Sequence, residues 1–440
     1  MKSNYSIKLA LAMACCAPAF ALATDGYFGH GYGMKSKGMG GAATATTSDA
    51  FGGAVNPAKM VFVGDRIDFG ADLFSPRRAV SRQGETAFGG AYNGSADSDS
   101  RYFLIPEFGY NKLINPNLSL GVTVYGNGGM NTDFNTPLAG PSFAPVCGGA
   151  PANMLLGCGR LGVDMIQLIV APTAAFKLTE NNALGISPLL AYQRFKVDGL
   201  QAFTGISSAA TAVTNLGYDT STGSGVRVGW MGRLSETVTL GAAYSSKIKM
   251  GNFDKYRGLF AGQGMFDIPD NYNAGIAVKA APKTTIAFDV QRINYSKITS
   301  IANGVLNSLA NPVGCPLGSA CGSGFRWQDQ TVYKLGVEYE YNKQWTGRAG
   351  FNYGKSPIGN TANDISFNII APGVVEKHLT LGLTYKTGSG GELTFAYMHA
   401  FTNTVTGPSA ITTMVGGANF GTESLKMYQN SIGIAYGWKM

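Results

Sequence analysis

Charge is scarce in this chain. Only 14% of its 440 residues are Asp, Glu, Lys or Arg, while 45% are hydrophobic. A polypeptide that long and that apolar has too much to bury to remain disordered. Long apolar runs are missing as well. Beyond the N-terminus no stretch of about 18 consecutive apolar residues occurs, which excludes a membrane-spanning helix. Histidine is rarer still, with His30, His378 and His399 making up the full complement of 3. None of them stands beside a G-x-S-x-G elbow or a comparable nucleophile signature. Gly29-x-Gly31-x-Gly33 follows no strand and opens no helix, so it is no dinucleotide fingerprint, and no phosphate loop or metal constellation appears. The expectation is a protein that is not an enzyme, with no catalytic residue, no cofactor and no metal. The formal charge of +8 is spread singly along the chain. With no Lys/Arg cluster, nucleic acid is not an expected partner. A solvated surface facing outer-membrane lipid and lipopolysaccharide is.

What is present begins with an export signal. Lys2 and Lys8 form a positive n-region, Leu9 to Phe20 an apolar h-region, and Ala21-Leu22-Ala23 an A-x-A site, so residues 1–23 read as a cleavable signal peptide. Cys15 and Cys16 leave with it. Four cysteines remain, close in sequence: Cys147 with Cys158, and Cys315 with Cys321. Export implies an oxidising compartment, and both pairs sit in Gly/Pro/Ala-rich stretches, so two local disulfides stapling loops are the natural expectation. Four cysteines still permit three connectivities.

The mature chain is a succession of alternating segments. Strands are predicted over 66–80, 101–113, 118–129, 163–178, 183–197, 224–234 and 238–250, then over 270–280, 284–295, 328–341, 345–353, 377–386, 392–401 and 424–440. In one, Ile286, Phe288 and Val290 alternate with Ala287 and Asp289, the period of a strand with two unlike faces. Connections alternate between short turns, such as Asn115-Pro116-Asn117 and Asn342-Lys343-Gln344, and long loops, such as 130–162 and 297–327. That rhythm is characteristic of an outer-membrane barrel with periplasmic turns and extended outer loops. A closed sheet satisfies every backbone group in a bilayer without an edge. The expected fold class is all-β: a transmembrane antiparallel β-barrel of about 14 strands over residues 66–440, in the cell outer membrane, with Tyr110, Tyr244, Tyr341, Trp345, Tyr385 and Trp438 in its interfacial girdles. A monomer is expected, inserted by the outer-membrane assembly machinery.

Two stretches depart from this pattern. Residues 24–65 are Gly- and Ala-rich without alternation, and Phe28 and Phe51 among them need cover. The segment reads as an N-terminal hatch (plug) inside the lumen. The third strand begins LSLGVTV and then dissolves into Tyr125-Gly126-Asn127-Gly128-Gly129, where glycines permit a bulge and remove wall-filling side chains.

With Ser48-Asp49-Ala50 ahead of Asn56-Pro57-Ala58, then Ile268-Pro269-Asp270, Ser356-Pro357-Ile358 and Tyr397-Met398-His399 in order, the chain resembles the FadL/TodX-type transporters of fatty acids and hydrocarbons. The likeness covers nearly the whole mature sequence. It implies that Asn56, Pro57 and Ala58 belong to the hatch. It also implies that 125–129 is an inward kink opening the barrel wall sideways, so that a hydrophobic small molecule leaves into lipid. Such an exit spares about 0.8 kcal/mol per CH₂ that release into water would cost. Arg194, with Lys196 two residues on, matches a basic position that holds fatty carboxylates in that family. The family's second position, a Lys beside an Asp, is here Gln328 before Asp329, with Lys334 of the same parity as a substitute. That departure favours neutral or aromatic hydrocarbons. The chain also ends Trp438-Lys439-Met440 where family barrels close on Phe. A barrel lipid hydrolase and a water-filled porin are the competing readings.

Overall fold

The computed structural model describes residues 25–388 and 390–440, so the signal peptide expected over residues 1–23 lies outside the described residues. The strands form one sheet of 16. Two of these, Gly94–Asp97 and Lys249–Met250, are short spurs on single neighbours. The other fourteen close on themselves. They are β1 Arg66–Glu85, β2 Phe103–Asn115, β3 Leu118–Phe134, β4 Leu161–Thr179, β5 Asn182–Asp198, β6 Asp219–Arg233 and β7 Val238–Ser245. There follow β8 Asn271–Ala281, β9 Thr284–Ile293, β10 Gln330–Glu340, β11 Trp345–Gly354, β12 Lys377–Lys386, β13 Gly391–Pro408 and β14 Phe420–Lys439. Each pairs antiparallel with its sequence neighbours, and β14 returns to β1 from Arg66↔Lys439 to Glu85↔Phe420.

The two faces of the wall explain why these residues form it. Outward positions are apolar and exposed, as with Leu73, Ile186, Phe288, Leu381 and Ile434. Inward positions carry buried polar groups such as Asp72, Thr123, Ser187, Asp289, Asn352 and Thr380. In β9 the predicted alternation is realised: Ile286 and Phe288 face outward, while Asp289 faces in at 2% exposure. Long loops leave the end of the barrel opposite the short turns, which makes that end extracellular.

Strand ends moved outward from expectation. β1 runs to Glu85 and β13 to Pro408, past a register shift between Ala400 and Asn403. The periodicity fades there because these ends stand against loops rather than lipid. β7, by contrast, stops at Ser245, since the Ser246 hydroxyl accepts from Val226 N–H and turns the chain before Lys249–Met250 pairs with β6. Both local disulfides are formed, Cys147–Cys158 and Cys315–Cys321, each within one extracellular loop.

Candidate functional site

Residues 25–65 occupy the inside of the ring. Their contacts go to strands all the way round: Lys37 to Asp72 of β1 (3.0 Å), Gly33 N–H to Glu107 of β2 (3.2 Å), Gly53 N–H to Thr123 of β3 (3.2 Å), and Gly40 N–H to Thr380 of β12 (2.8 Å). Four single turns, Met34–Lys37, Gly52–Ala54, Pro57–Lys59 and Met60–Val63, are all the helix the segment has. Inward glycines let its backbone lie on the wall. A Cβ at Gly350 would come within 2.1 Å of Gly40 N. Asn56 caps the turn at Pro57, its Oδ1 accepting from Ala58 N–H (3.1 Å). Its Nδ2 donates to the carbonyls of Thr44 and Trp230, both at 2.9 Å. A single carboxylate, Asp289 of β9, accepts from Ala43 N–H, Thr44 N–H and the Thr44 hydroxyl at 2.7–2.9 Å. Burial pushes the Asp25 carboxyl up to about 6 against the pull of Lys334 and Asn352. Burial, with His378, Lys37 and Lys334 nearby, holds the His30 imidazole well below its ordinary range and therefore neutral.

The wall is interrupted between β2 and β3. Their pairing ends at Phe108↔Val124. Beyond it, Phe103–Glu107 pairs with β1 alone and Tyr125–Phe134 with β4 alone. At about 3.3 Å per residue, the unpaired β2 edge is roughly 16 Å long. A register shift between Gly126 and Gly128 leaves Asn127 as the bulged residue. From Tyr125 to Thr132 every residue is buried, whereas elsewhere burial alternates. The segment has left the lipid surface and bent inward. From inside, residues 28–32 cover it: Phe28 bridges Gly128, Gly29 N–H donates to Asn127 O (3.3 Å), and Tyr32 meets Tyr125 edge-on at 4.7 Å. Position 128 requires glycine, because a Cβ there would sit 1.9 Å from Tyr27 O.

On the extracellular side of residues 25–65, five extracellular loops and Phe195 enclose an apolar cavity. Leu155, Leu200, Phe203, Leu259, Phe260, Phe325 and Phe367 line it, and its only polar linings are Ser300 and Ser323. Its volume of about 30 Å³ is room for about two waters. Ring contacts lead down from it. Phe260 meets Phe266 (4.9 Å) and Phe266 meets Tyr27 (6.3 Å). On the other side Phe325 meets Trp327 (6.2 Å), which meets Tyr27 (5.8 Å) and Tyr295 (5.2 Å). Tyr27 stands directly at the interrupted wall.

The predicted basic residues do not converge on this path. On β5 the inward positions are Gln193, Phe195 and Val197, so Arg194 and Lys196 lie on the outward face. This corrects their expected place in the lumen: Arg194 stacks on Tyr218 at 4.2 Å and faces Asp164 at 3.7 Å, at the outer rim. Gln328 is exposed in a loop, another departure from a lumen position. Lys334 does point inward, but its ammonium donates to His30 O (3.0 Å) and Gln291 (2.8 Å) and so ties the 25–65 segment to the wall. Tyr27, Tyr295 and Trp327 escaped sequence reasoning, being far apart in the chain with no shared motif.

Comparison with known proteins gives one family. The model described as outer membrane protein transport protein (OMPP1/FadL/TodX) matches residues 9–428. The Pseudomonas putida toluene transporter TodX has a similar structure, with a TM-score of 0.67 and 16% identity over 93% of this chain and 99% of that one. A Pseudomonas aeruginosa FadL homologue gives 0.68 and 15% over 94% and 99%, and the Ralstonia pickettii toluene transporter TbuX 0.61 and 19% over 93% and 99%. No curated protein sequence matches.

Proposed function

Because the chain belongs to the OMPP1/FadL/TodX family of outer-membrane transport proteins, we propose that it takes up small neutral hydrocarbons, binding them among the extracellular loops and releasing them sideways into the membrane between β2 and β3. The family is one of transporters, not enzymes, and its barrel belongs to the outer membrane. The observation that carries the finer reading is the run of rings from the loop cavity to Tyr27 at the interrupted wall.

Apolar walls accept hydrocarbon without competing for water, and offset or edge contacts between rings suit an aromatic solute. A fatty carboxylate would need a cation or several donors in place of water. The cavity lining offers two serines and no Lys or Arg. Toluene transport by relatives of the same fold agrees with this reading.

Asp25–Asp65 acts as the hatch. It blocks the lumen against water-soluble solutes, and the segment 125–129 is the door. The decisive measurement is ligand competition on the purified protein, toluene against palmitate. Tighter binding of palmitate would overturn the neutral-hydrocarbon assignment, and a large, steady open-pore current in planar bilayers would overturn the hatch and favour a porin.

A further inference from the structure

We propose that a cationic cleft on the outer wall, beside the interrupted strand pair, binds the phosphate headgroup of an anionic lipid in the outer leaflet. The cleft, of about 420 Å³, is bounded by β1, β14 and the 94–102 segment. Its height follows from the outward face. On β1 the apolar series Ile67, Phe69, Ala71, Leu73 gives way to Ser75 and Arg77, and on β14 Trp438, Tyr436, Ile434, Ile432 gives way to Asn430, Tyr428 and Lys426. The two series end at the same level, with Leu73↔Ile432 followed by Arg77↔Tyr428. The apolar band of an outer-membrane barrel ends where lipid headgroups begin. Arg77, Arg78, Arg101 and Lys426 therefore line a cleft at headgroup height, with Asp97 as the one carboxylate among its lining residues.

Arg78 supplies the independent argument. It is 4% exposed, its Nη2 has no hydrogen-bond partner, and no carboxylate forms an ion pair with it among the described residues. Of the comparably buried arginines, Arg66, Arg82 and Arg348 each face a carboxylate at 2.6–2.8 Å, while Arg227 instead donates to Gly53 O (2.6 Å) and the Tyr125 hydroxyl (3.2 Å). A buried guanidinium without an anion is expensive. Arg78 lies on the inward parity of β1, its Nη1 donating to Ser100 O (3.4 Å), and it lines both this cleft and a smaller interior pocket beside Tyr27 and Met130. Arg77 is already held, donating to the Tyr102 hydroxyl at 2.7 Å. Several guanidinium forks around one opening suit the multiple oxygens of a phosphate. A single diffusing carboxylate needs fewer, so a resident membrane lipid is the better fit.

Native mass spectrometry of the detergent-purified full chain tests this, with lipid A, its dephosphorylated form and palmitate as probes. Wild type should bind lipid A at least tenfold more tightly than the dephosphorylated lipid, and a hundredfold excess of palmitate should not displace it. R77A/R101A/K426A and, separately, Arg78→Met should bind lipid A no better than the dephosphorylated form, with heat-modifiable mobility unchanged. Lys426→Gln, a change at an exposed outward position, should lose about threefold and serves if the others misfold. Equal binding of the dephosphorylated lipid by wild type, or variants that keep the phosphate preference, would overturn the site. Displacement by palmitate would reassign the cations to a transported carboxylate.

Discussion

Asp289→Ala removes the carboxylate that ties Ala43 and Thr44 to β9. In the wild type its Oδ2 accepts from Ala43 N–H (2.8 Å), Thr44 N–H (2.9 Å) and the Thr44 hydroxyl (2.7 Å), and the residue is 2% exposed. The hydroxyl can rotate, but the two amides cannot. A buried donor left unsatisfied costs about 1–3 kcal/mol, so the two amides alone cost roughly 2–6 kcal/mol. That cost falls on the docking of residues 40–47, because β9 keeps both of its ladders, to β8 and to β10. The barrel should fold and shift on heat-modifiable gels as wild type does. Hydrogen exchange should report the difference. At about 1.4 kcal/mol per decade, 3 kcal/mol raises exchange of the Ala43 and Thr44 amides on the order of 10²-fold. Asp289→Asn keeps one acceptor oxygen and should lose much less. If the folded Ala variant protects the 40–47 peptide as well as wild type does, Asp289 does not anchor the hatch. Loss of the barrel itself would place the stabilisation in the wall and also refute the reasoning.

Three further outcomes are expected. Deleting Thr24–Asp65 should leave a barrel that inserts but passes small hydrophilic solutes in a liposome-swelling assay, and unchanged permeability would show that the segment blocks nothing. Gly128→Ala places a methyl where Tyr27 O now lies, so the Tyr27–Gly29 segment must lift from the interrupted wall. Cellular uptake of labelled toluene at low concentration should rise severalfold with binding retained, and unchanged uptake would remove Tyr27 from the route. Leu259→Arg sets a guanidinium at the cavity rim, where its long stem lets the charge reach water. Competition binding should then shift at least tenfold toward palmitate relative to toluene, whereas an unaltered preference would mean that ligand does not bind in this cavity.

Much of the architecture was legible in the sequence because a barrel wall has only two environments. Each strand repeats the choice with period two, and β12, Lys377–Lys386, appears where alternation placed it. The glycine run at 126–129 coincides with the start of the interruption, at the register shift between Gly126 and Gly128. Its extent was not readable: β3 continues to Phe134, paired on one side only. Alternation signals lipid on one face and lumen on the other, and it vanishes when a strand bends inward and buries both. Parity alone could have turned Arg194 away from the lumen, since it shares its parity with the outward Leu184, Ile186, Leu190 and Tyr192. Resemblance to a basic position was the weaker guide.

The sequence by itself determined the class of the wall, the number of its long strands and the compartment. All of these rest on local periodicity, turn chemistry and loop length. Only the tertiary structure decided that Tyr27 meets Gly128, that Lys334 holds the His30 carbonyl, and that Phe260, Phe325, Trp327 and Tyr295 form one run of rings. Each of these pairs residues from distant strands or loops. Ring closure brings them together, and nothing in their local sequence encodes the distance it removes.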